Sequence, residues 1–161
     1  MDKDDLEKEF EKIIQEFGGI ITKICYSFST DSEEFQDLRQ EVLYYIWKGL
    51  KNFRNEAKIS TWIYRLSFNT CISFQRKEKK VNKVSTDVIL NIAETPSDSK
   101  LENYKKMHSM IQKLNYEERA IILMWLDDLS YDEIAHLTGK KRNTIASKLK
   151  RIKEKLIQMN N

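Results

Sequence analysis

Apolar residues recur every three or four positions along most of the chain, and this is the period of amphipathic α-helices. The first apolar stripe spans residues 6–28 and crosses Gly18 and Gly19, so it predicts either one bent helix or two joined helices. A second stripe spans residues 35–53, and a third predicted helix spans residues 60–80. No useful length of the chain alternates with the period of a β-strand. The pattern therefore predicts an all-α fold.

The helical period fades between about residues 81 and 100, where the chain has its only proline, Pro96. A stretch of about 20 residues without structure is unusual inside a compact domain, so this segment is predicted to be a flexible linker. Apolar spacing returns from Leu101 onwards and predicts about four further helices. The predicted organisation is two small helical domains, residues 1–80 and 101–161, joined by a linker over residues 81–100.

Residues 129–156 have the pattern of a helix-turn-helix. Ser130 precedes Glu133 by three positions, which is the spacing of a capping box at a helix start. Gly139 supplies the left-handed stop that a tight turn between helices needs. A second helix with an apolar face is predicted from about Arg142, and such a helix is suited to the DNA major groove. The residues off its apolar face are Asn143, Thr144, Ser147, Lys148, Lys150 and Arg151.

Charge is strongly segregated, although the chain as a whole carries only +3. Residues 48–80 and residues 138–161 each carry a net charge of +7, whereas residues 1–47 carry −7 and residues 81–137 carry −4. A basic helix that only faces solvent is the simpler explanation of the last segment. Because this charge coincides with a cap, a glycine turn and an apolar face, the helix-turn-helix is the better one. Two basic blocks predict two contacts with nucleic acid.

The basic block over residues 48–80 is also rich in aromatic residues. The spacing of Phe53, Trp62 and Phe74 favours positions in the core. The loop over residues 54–58 is better placed for direct contact with nucleic acid, because loops on rigid helices commonly carry binding groups. Along the third predicted helix, basic and polar residues form a stripe of their own that includes Arg65, Asn69 and Arg76.

Neither a metal site nor a catalytic centre is predicted. Cys25 and Cys71 lie in separate apolar patterns, and His108 and His136 are isolated. With no clustered carboxylates and no nucleophile beside an evident base, an enzyme acting on nucleic acid is disfavoured, and no cofactor or small-molecule ligand is indicated. The acidic N-terminus does not resemble an export signal, and no apolar run reaches the about 18 residues of a membrane span. The sequence predicts a cytoplasmic protein that does not insert into a membrane.

Three segments resemble, in order and separation, the conserved parts of extracytoplasmic-function sigma factors, which are specificity subunits of bacterial RNA polymerase. They are DLRQEVLYYIWKGLKNF, STWIYRLSFNTCISFQRK and LSYDEIAHLTGKKRNTIASKLKRI. The resemblance covers nearly the whole chain. It implies that the chain binds core RNA polymerase and promoter DNA and helps to open the promoter, with no catalytic activity of its own. Members of this family are often held inactive by an anti-sigma factor, which is therefore implied as a further partner.

The resemblance implies three sets of binding residues and a role for the linker. The surface that docks on the polymerase clamp comprises Asp37, Gln40, Glu41 and Tyr44. The set implied for the minus-ten element, where a flipped base enters a pocket before the third helix, comprises Arg54, Asn55, Lys58, Ser60, Thr61, Trp62, Arg65, Asn69, Arg76 and Lys77. The set implied for the minus-thirty-five element comprises Arg142, Asn143, Thr144, Ser147, Lys148 and Arg151. The linker resembles the segment that enters the polymerase towards its active site, with a plain tether as the alternative.

Lys140, Lys141 and Asn143 depart from the family pattern. Lys140 and Lys141 occupy positions where the family usually has an apolar residue and a Ser or Thr helix cap, and Asn143 occupies one that is often glycine. These departures leave the start of the recognition helix and its base contacts open. The alternative function is a dimeric helix-turn-helix regulator that binds an operator, which would not account for the second basic block.

Overall fold

The computed structural model describes residues 2–55, 58–78 and 98–161. Within those ranges it contains only helices and no β-strand, which confirms the all-α prediction. The helices are α1 (Lys3–Ser27), α2 (Ser32–Leu50), α3 (Ile59–Glu78), α4 (Asp98–Gln112), α5 (Tyr116–Leu126), α6 (Tyr131–Thr138) and α7 (Arg142–Asn160). They fall into two units, one made of α1–α3 and the other of α4–α7.

The predicted linker differs from the structure at its C-terminal end. Helix α4 already begins at Asp98, so residues 98–100 are helical rather than part of a linker. Residues 81–97 of the predicted linker, and with them its predicted flexibility, lie outside the described residues. The same is true of residues 79 and 80 at the end of the third predicted helix.

Helix α1 is continuous through Gly18 and Gly19, which decides between the two alternatives that the apolar stripe left open. Asp2 caps its start by accepting a hydrogen bond from the amide of Asp5 at 2.9 Å. Its apolar stripe is buried against α2 and α3, and the three helices pack pairwise around one core. The buried apolar residues of this core include Leu6, Ile13, Phe17, Ile21, Ile24, Leu38, Val42, Ile46, Ile63, Phe68 and Cys71.

A buried polar network fastens the turn between α1 and α2 to the far end of α3. Asp31 caps α2 by accepting from the amide of Glu34 at 2.7 Å. The Glu34 side chain is buried and accepts hydrogen bonds from Thr30 and from Gln75 Nε2, the latter at 2.7 Å. Gln75 also donates to the carbonyl of Phe28. These bonds satisfy groups whose burial without partners would cost about 1–3 kcal/mol each.

The second unit is built around α5, in which Ala120–Met124 are all buried. Arg119 precedes this run and is itself buried, with its guanidinium donating to the carbonyls of Ile111, Gln112 and Leu114 at 2.9–3.2 Å. Carbonyls at the end of a helix have no intrahelical partner, so Arg119 satisfies the end of α4. This contact joins the C-terminal end of α4 to α5.

The apolar stripe predicted for α4 is buried only at its C-terminal end. Ile111 and Leu114 lie in the core, whereas Tyr104 is 54% exposed and Met107 is 40% exposed. Periodicity places residues on one face of a helix, but the length of that face that is covered depends on the neighbouring helices. Within the unit, α4 packs against α7 and is held at its C-terminal end by Arg119 of α5.

Candidate nucleic-acid interface

An open groove of about 550 Å³ runs between α2 and α3 in the first unit. One wall comes from the outward side of α2, and the other comes from the basic and polar stripe of α3. Its lining residues are Glu41, Tyr45, Lys48, Gly49, Asn52, Trp62, Arg65, Leu66, Asn69, Thr70, Ser73 and Lys77. The groove therefore combines an apolar floor with cations along its edge, which is the composition that single-stranded nucleic acid requires.

Trp62 is among the residues that line both this groove and a second cavity. The second cavity has a volume of about 390 Å³ and is lined by Gly49, Asn52, Phe53, Arg54, Thr61, Trp62 and Arg65. The Trp62 ring lies against the Phe53 ring, with centroids 5.0 Å apart and planes tilted by 34°. Both rings are only half-buried, as is Phe74, so the predicted core positions of these three aromatic residues are wrong.

Gly49 is what allows the Trp62 ring to lie where it does. A Cβ atom at position 49 would stand 2.8 Å from Trp62 Cζ2, well inside the about 3.5–4.0 Å of a good carbon–carbon contact. The Trp62 indole therefore occupies the space that a side chain of α2 would fill, and α2 and α3 approach closely at this point.

The residues predicted for the minus-ten element divide into two groups in the structure. The first group lines one or both cavities and consists of Arg54, Thr61, Trp62, Arg65, Asn69 and Lys77. The second group, Asn55, Lys58, Ser60 and Arg76, lines neither of them. Asn55 has a left-handed backbone with φ of 56°, which turns the chain sharply just before residues 56 and 57, outside the described ranges. Asn tolerates this conformation better than most residues.

The helix-turn-helix begins and turns where predicted, but α7 continues to Asn160, beyond the predicted end at residue 156. Ser130 caps α6 by accepting from the amide of Glu133 at 3.1 Å, and Gly139 ends it with φ of 73°. The reciprocal half of the predicted capping box is different, because the Glu133 carboxylate accepts from the Ser130 hydroxyl rather than from its amide. A complete capping box occurs instead at the start of α5, between Asn115 and Glu118. Helix α7 begins at Arg142, with Lys141 at the cap position and no side-chain hydrogen bond there.

The residues predicted for the minus-thirty-five element are mostly exposed on α7. Its apolar face, Ile145, Leu149 and Ile152, is buried. The exposed residues are Arg142, Asn143, Thr144, Ser147 and Arg151. Arg142 Nε lies 3.2 Å from the carboxylate of Asp132, in a pair that solvent surrounds. Lys148 is the exception, because it is partly covered and turned towards α5.

Glu117, in the first turn of α5, meets two lysines of the helix-turn-helix. Its Oε1 lies 2.7 Å from Lys140 Nζ and 3.4 Å from Lys148 Nζ. The hydrogen bond from Lys140 is the main reason why the pKa of the Glu117 carboxyl lies below its ordinary value, with both lysine charges adding to the effect and burial opposing it. Lys140 thus has a partner that its position in the sequence did not indicate.

Residues 13–81 match the family model of sigma-70 region 2, and residues 104–156 match that of sigma-70 region 4. The chain belongs to the sigma-70 family. These matches cover α2 and α3 with their two cavities, and the helix-turn-helix with α5. They confirm the resemblance that the sequence showed, and the alternative of a dimeric operator-binding regulator is not favoured.

The relatives of this sigma factor are RNA polymerase sigma factors, several of them named as ECF sigma factors. RNA polymerase sigma factor SigV of Bacillus subtilis is 29% identical over 132 residues, which are 80% of this chain and 77% of the relative. ECF RNA polymerase sigma factor SigW of the same organism is 26% identical over 161 residues, with 91% and 86% of the two chains covered. The sigma factor RpoE of Bartonella quintana, solved with the anti-sigma factor NepR, has the same fold with a TM-score of 0.76 and 19% identity, covering 94% of this chain and 96% of that one. The function of the chain is that of an RNA polymerase sigma factor.

The outer face of α2 in this sigma factor carries the residues predicted for polymerase docking. Asp37 and Gln40 are exposed, Glu41 is half-buried at the groove, and Tyr44 is 56% exposed. The centroids of the Tyr44 and Tyr45 rings lie 5.3 Å apart, and Lys48 Nζ lies 5.9 Å from the centroid of the Tyr44 ring. The four side chains share one side of the helix, opposite the buried stripe.

Gly49 and Glu117 are two residues of these surfaces that sequence reasoning missed, and Tyr45, Lys48 and Asn52 of the groove are others. The apolar stripe of the sequence continues past Gly49 to Phe53, so this glycine was a signal, since glycine costs about 1 kcal/mol relative to alanine inside a helix. Glu117 gave no signal, because its partners are more than twenty positions away in the sequence.

No group of three or more His, Cys, Asp and Glu side chains in the described part of the chain could hold a metal ion. None of the helices there is long and apolar enough to cross a membrane.

Proposed function

We propose that this sigma factor divides promoter initiation among three surfaces. The outer face of α2 docks on core RNA polymerase, the α2–α3 cavities hold the opened minus-ten strand, and the exposed face of α7 binds the minus-thirty-five duplex. The observation that carries the proposal is the pair of cavities that both include Trp62 in their lining, with basic side chains in each and residues of α2 in each. The protein acts by binding and has no catalytic role of its own in this proposal.

The cavity of about 390 Å³ is the candidate pocket for an unstacked base. Its volume lies within the about 300–1,000 Å³ of typical small-molecule pockets. Extruding a base from the duplex costs a few kcal/mol, and stacking on an aromatic ring returns about 1–3 kcal/mol per base. Trp62 and Phe53 supply that ring surface, while Arg54 and Arg65 lie where phosphates of the same strand would pass. The pocket can therefore offset most of the cost of opening.

The adjoining groove is the candidate path for the neighbouring nucleotides. Asn69 and Lys77 continue from Arg65 along α3 at helical spacing, and both are exposed. Lys48 supplies a cation on the α2 side of the groove. A strand laid along this groove meets hydrogen-bonding groups and positive charge without a fixed requirement for sequence. Sequence selection would then be concentrated in the base pocket.

The face of α2 that carries Asp37, Gln40, Glu41 and Tyr44 is the candidate polymerase surface. It is polar and acidic around one large exposed aromatic ring, and its residues come from a rigid helix. An aromatic residue surrounded by charges is a common anchor in protein interfaces. Docking through this face would place the adjacent groove next to the polymerase.

The solved sigma factor from Bartonella quintana is bound to an anti-sigma factor. CnrH, another neighbour in fold, was solved with the cytosolic domain of CnrY. We extend this to the present chain and propose an anti-sigma factor as its inhibitory partner. Co-purification of the chain from its native host, followed by transcription with and without the captured protein, would test this. A captured protein that leaves transcription unchanged would argue against it.

Transcription by purified core polymerase, with core binding and DNA binding measured separately for each variant, tests the division of promoter initiation among the three surfaces. Glu41→Ala should weaken binding to core enzyme, whereas Trp62→Leu should leave that binding intact and weaken binding of a single-stranded minus-ten oligonucleotide by on the order of tenfold. Arg151→Ala should weaken only upstream duplex binding. Lys12→Ala is the matched control, because Lys12 is 73% exposed on α1 in a pair with Glu9 and lines neither cavity. Identical phenotypes for the three variants would contradict the division.

A further inference from the structure

Two neighbouring acids of α5 hold one flank of the recognition helix α7. Glu117 Oε1 contacts Lys140 and Lys148, at 2.7 and 3.4 Å, and Glu118 Oε2 contacts Lys155 Nζ at 2.6 Å. Lys148 and Lys155 are separated by seven positions, so they lie on the same side of α7 two turns apart. Their ammonium groups are therefore directed at α5 rather than along the exposed face that carries Asn143, Ser147 and Arg151.

The start of α7 is weakly stabilised by its own sequence. Lys141 at the cap position makes no side-chain hydrogen bond, and the first turn contains no acidic residue. It contains Arg142 instead, and a positive charge is unfavourable at the positive end of a helix dipole. The position of this end is consequently set by contacts from outside the helix. Glu117 supplies such a contact, since it joins the turn before α7, through Lys140, to the second turn of α7, through Lys148.

We propose that Glu117 is a positioning residue for promoter recognition, and that Lys148 acts through Glu117 instead of binding a promoter phosphate. The two ion pairs that Lys140 and Lys148 make with the Glu117 carboxylate fix the start of α7 and its rotation about its axis. The cap residue Lys141 does not fix them, because its side chain makes no capping hydrogen bond. This inference rests on the proposed role of α7 in upstream DNA binding. It also gives Lys140 a role at a position where the family pattern has an apolar residue.

Salt dependence separates a positioning lysine from a phosphate-binding lysine. Each phosphate contact on duplex DNA contributes about −0.9 to the slope of log affinity against log salt concentration. The experiment uses holoenzyme reconstituted with each variant and a duplex promoter fragment that carries the upstream element, over a series of KCl concentrations. Lys148→Met should weaken binding about twofold to fivefold with an unchanged slope, as expected for an exposed pair. Arg151→Met, the comparison variant, should weaken binding and also reduce the slope by about 0.9.

Glu117→Gln should change the affinity for promoter DNA in opposite directions, depending on whether Glu117 positions the helix or only neutralises Lys148. If Glu117 positions the helix, the variant should weaken binding about twofold to fivefold, and combining it with Lys148→Met should add little. If Glu117 only neutralises a phosphate-binding lysine, removing its charge should tighten binding. Tighter binding by Glu117→Gln, or a slope reduced by about 0.9 in Lys148→Met, would overturn the proposal.

A second variant keeps the result independent of folding defects. Lys140→Met leaves Glu117 and Lys148 in place and removes the shorter of the two contacts, so it should reproduce the loss seen with Glu117→Gln. Wild-type affinity in Lys140→Met would count against the proposal. If Arg151→Met and deletion of the upstream element both leave binding unchanged, then the proposed function of α7 has failed, and not the role of Glu117 within it.

Discussion

Replacing Gly49 by alanine tests whether the Trp62 ring is seated against the backbone of α2. The added Cβ would stand 2.8 Å from Trp62 Cζ2. To restore a contact of about 3.5–4.0 Å, the ring must move away by about 0.7–1.2 Å. Phe53 limits that movement, because its ring already lies against Trp62 with centroids 5.0 Å apart. The substitution therefore disturbs the common wall of both cavities.

Two opposing terms set the size of the effect on stability. Inserting a methyl group into a closely packed site costs about 1–3 kcal/mol. Alanine is favoured over glycine inside a helix by about 1 kcal/mol, and because Gly49 lies in the last turn of α2, at most that amount offsets part of the cost. We expect Gly49→Ala to lower the free energy of unfolding by about 0–2 kcal/mol.

Gly19→Ala measures the helix preference of alanine without the cost of inserting a methyl group. Gly19 lies inside α1, and a Cβ there would meet nothing within 4 Å. Gly19→Ala should therefore stabilise the first unit by about 0.5–1 kcal/mol. The difference between the two variants measures the clash with Trp62. In a Trp62→Leu background, Gly49→Ala should become stabilising like Gly19→Ala.

Urea denaturation followed by tryptophan fluorescence provides the measurement. The chain has three tryptophans, and a Trp125→Phe background leaves only Trp47 and Trp62, both in the first unit. Binding of a single-stranded minus-ten oligonucleotide to the reconstituted holoenzyme should weaken in Gly49→Ala, while binding to core enzyme stays unchanged. If Gly49→Ala stabilises the unit as much as Gly19→Ala does, the reasoning about the ring is refuted.

Three further predictions concern the second unit. Gly139→Ala should destabilise it by about 1–2 kcal/mol, because alanine is strained at φ of 73°; a neutral result in urea denaturation would contradict this. Asn115→Ala should cost about 1 kcal/mol by removing the capping box of α5, and Asn115→Asp should retain most of the stability. The Glu117 carboxyl should titrate below its ordinary pKa in an NMR titration, and Lys140→Met should raise that pKa. Because the pKa is lowered in the folded state, the stability that Glu117 contributes is complete at neutral pH and is lost as pH falls through the lowered pKa; equal stability losses in Glu117→Gln at neutral and acidic pH would contradict this.

Local features of the fold were predictable because their causes lie within a few residues of sequence. The cap at Ser130, the left-handed turn at Gly139 and the start of α7 at Arg142 all occur as the sequence predicted. Each depends on a backbone amide within one turn or on the freedom of glycine. The apolar periodicity of α1 predicted its buried stripe but could not decide whether Gly18 and Gly19 interrupt the helix, since tertiary packing offsets the cost of both glycines.

The candidate binding surfaces were predictable only in part. The predicted minus-ten residues do share the α2–α3 region, yet which of them line a cavity depends on how closely the two helices approach at Gly49. Phe53 and Trp62 have core spacing but are half-buried, and Phe53 lies beyond the end of α2 at Leu50, outside the helix on which its core spacing depended. Periodicity predicts the face of the helix on which a side chain lies, but not the fraction of that side chain that neighbouring elements bury.

The sequence by itself determined the helices, the two basic segments and the membership of the sigma-70 family, because spacing, caps, charge and motif residues are written in consecutive positions. Only the tertiary structure decided that Glu117 joins Lys140 to Lys148, that Gly49 seats Trp62, and that Gln75 fastens Glu34. Each of these contacts joins residues far apart in the chain, so it exists only after helices have packed. Packing directions are set by the whole core, and no single segment of sequence contains them.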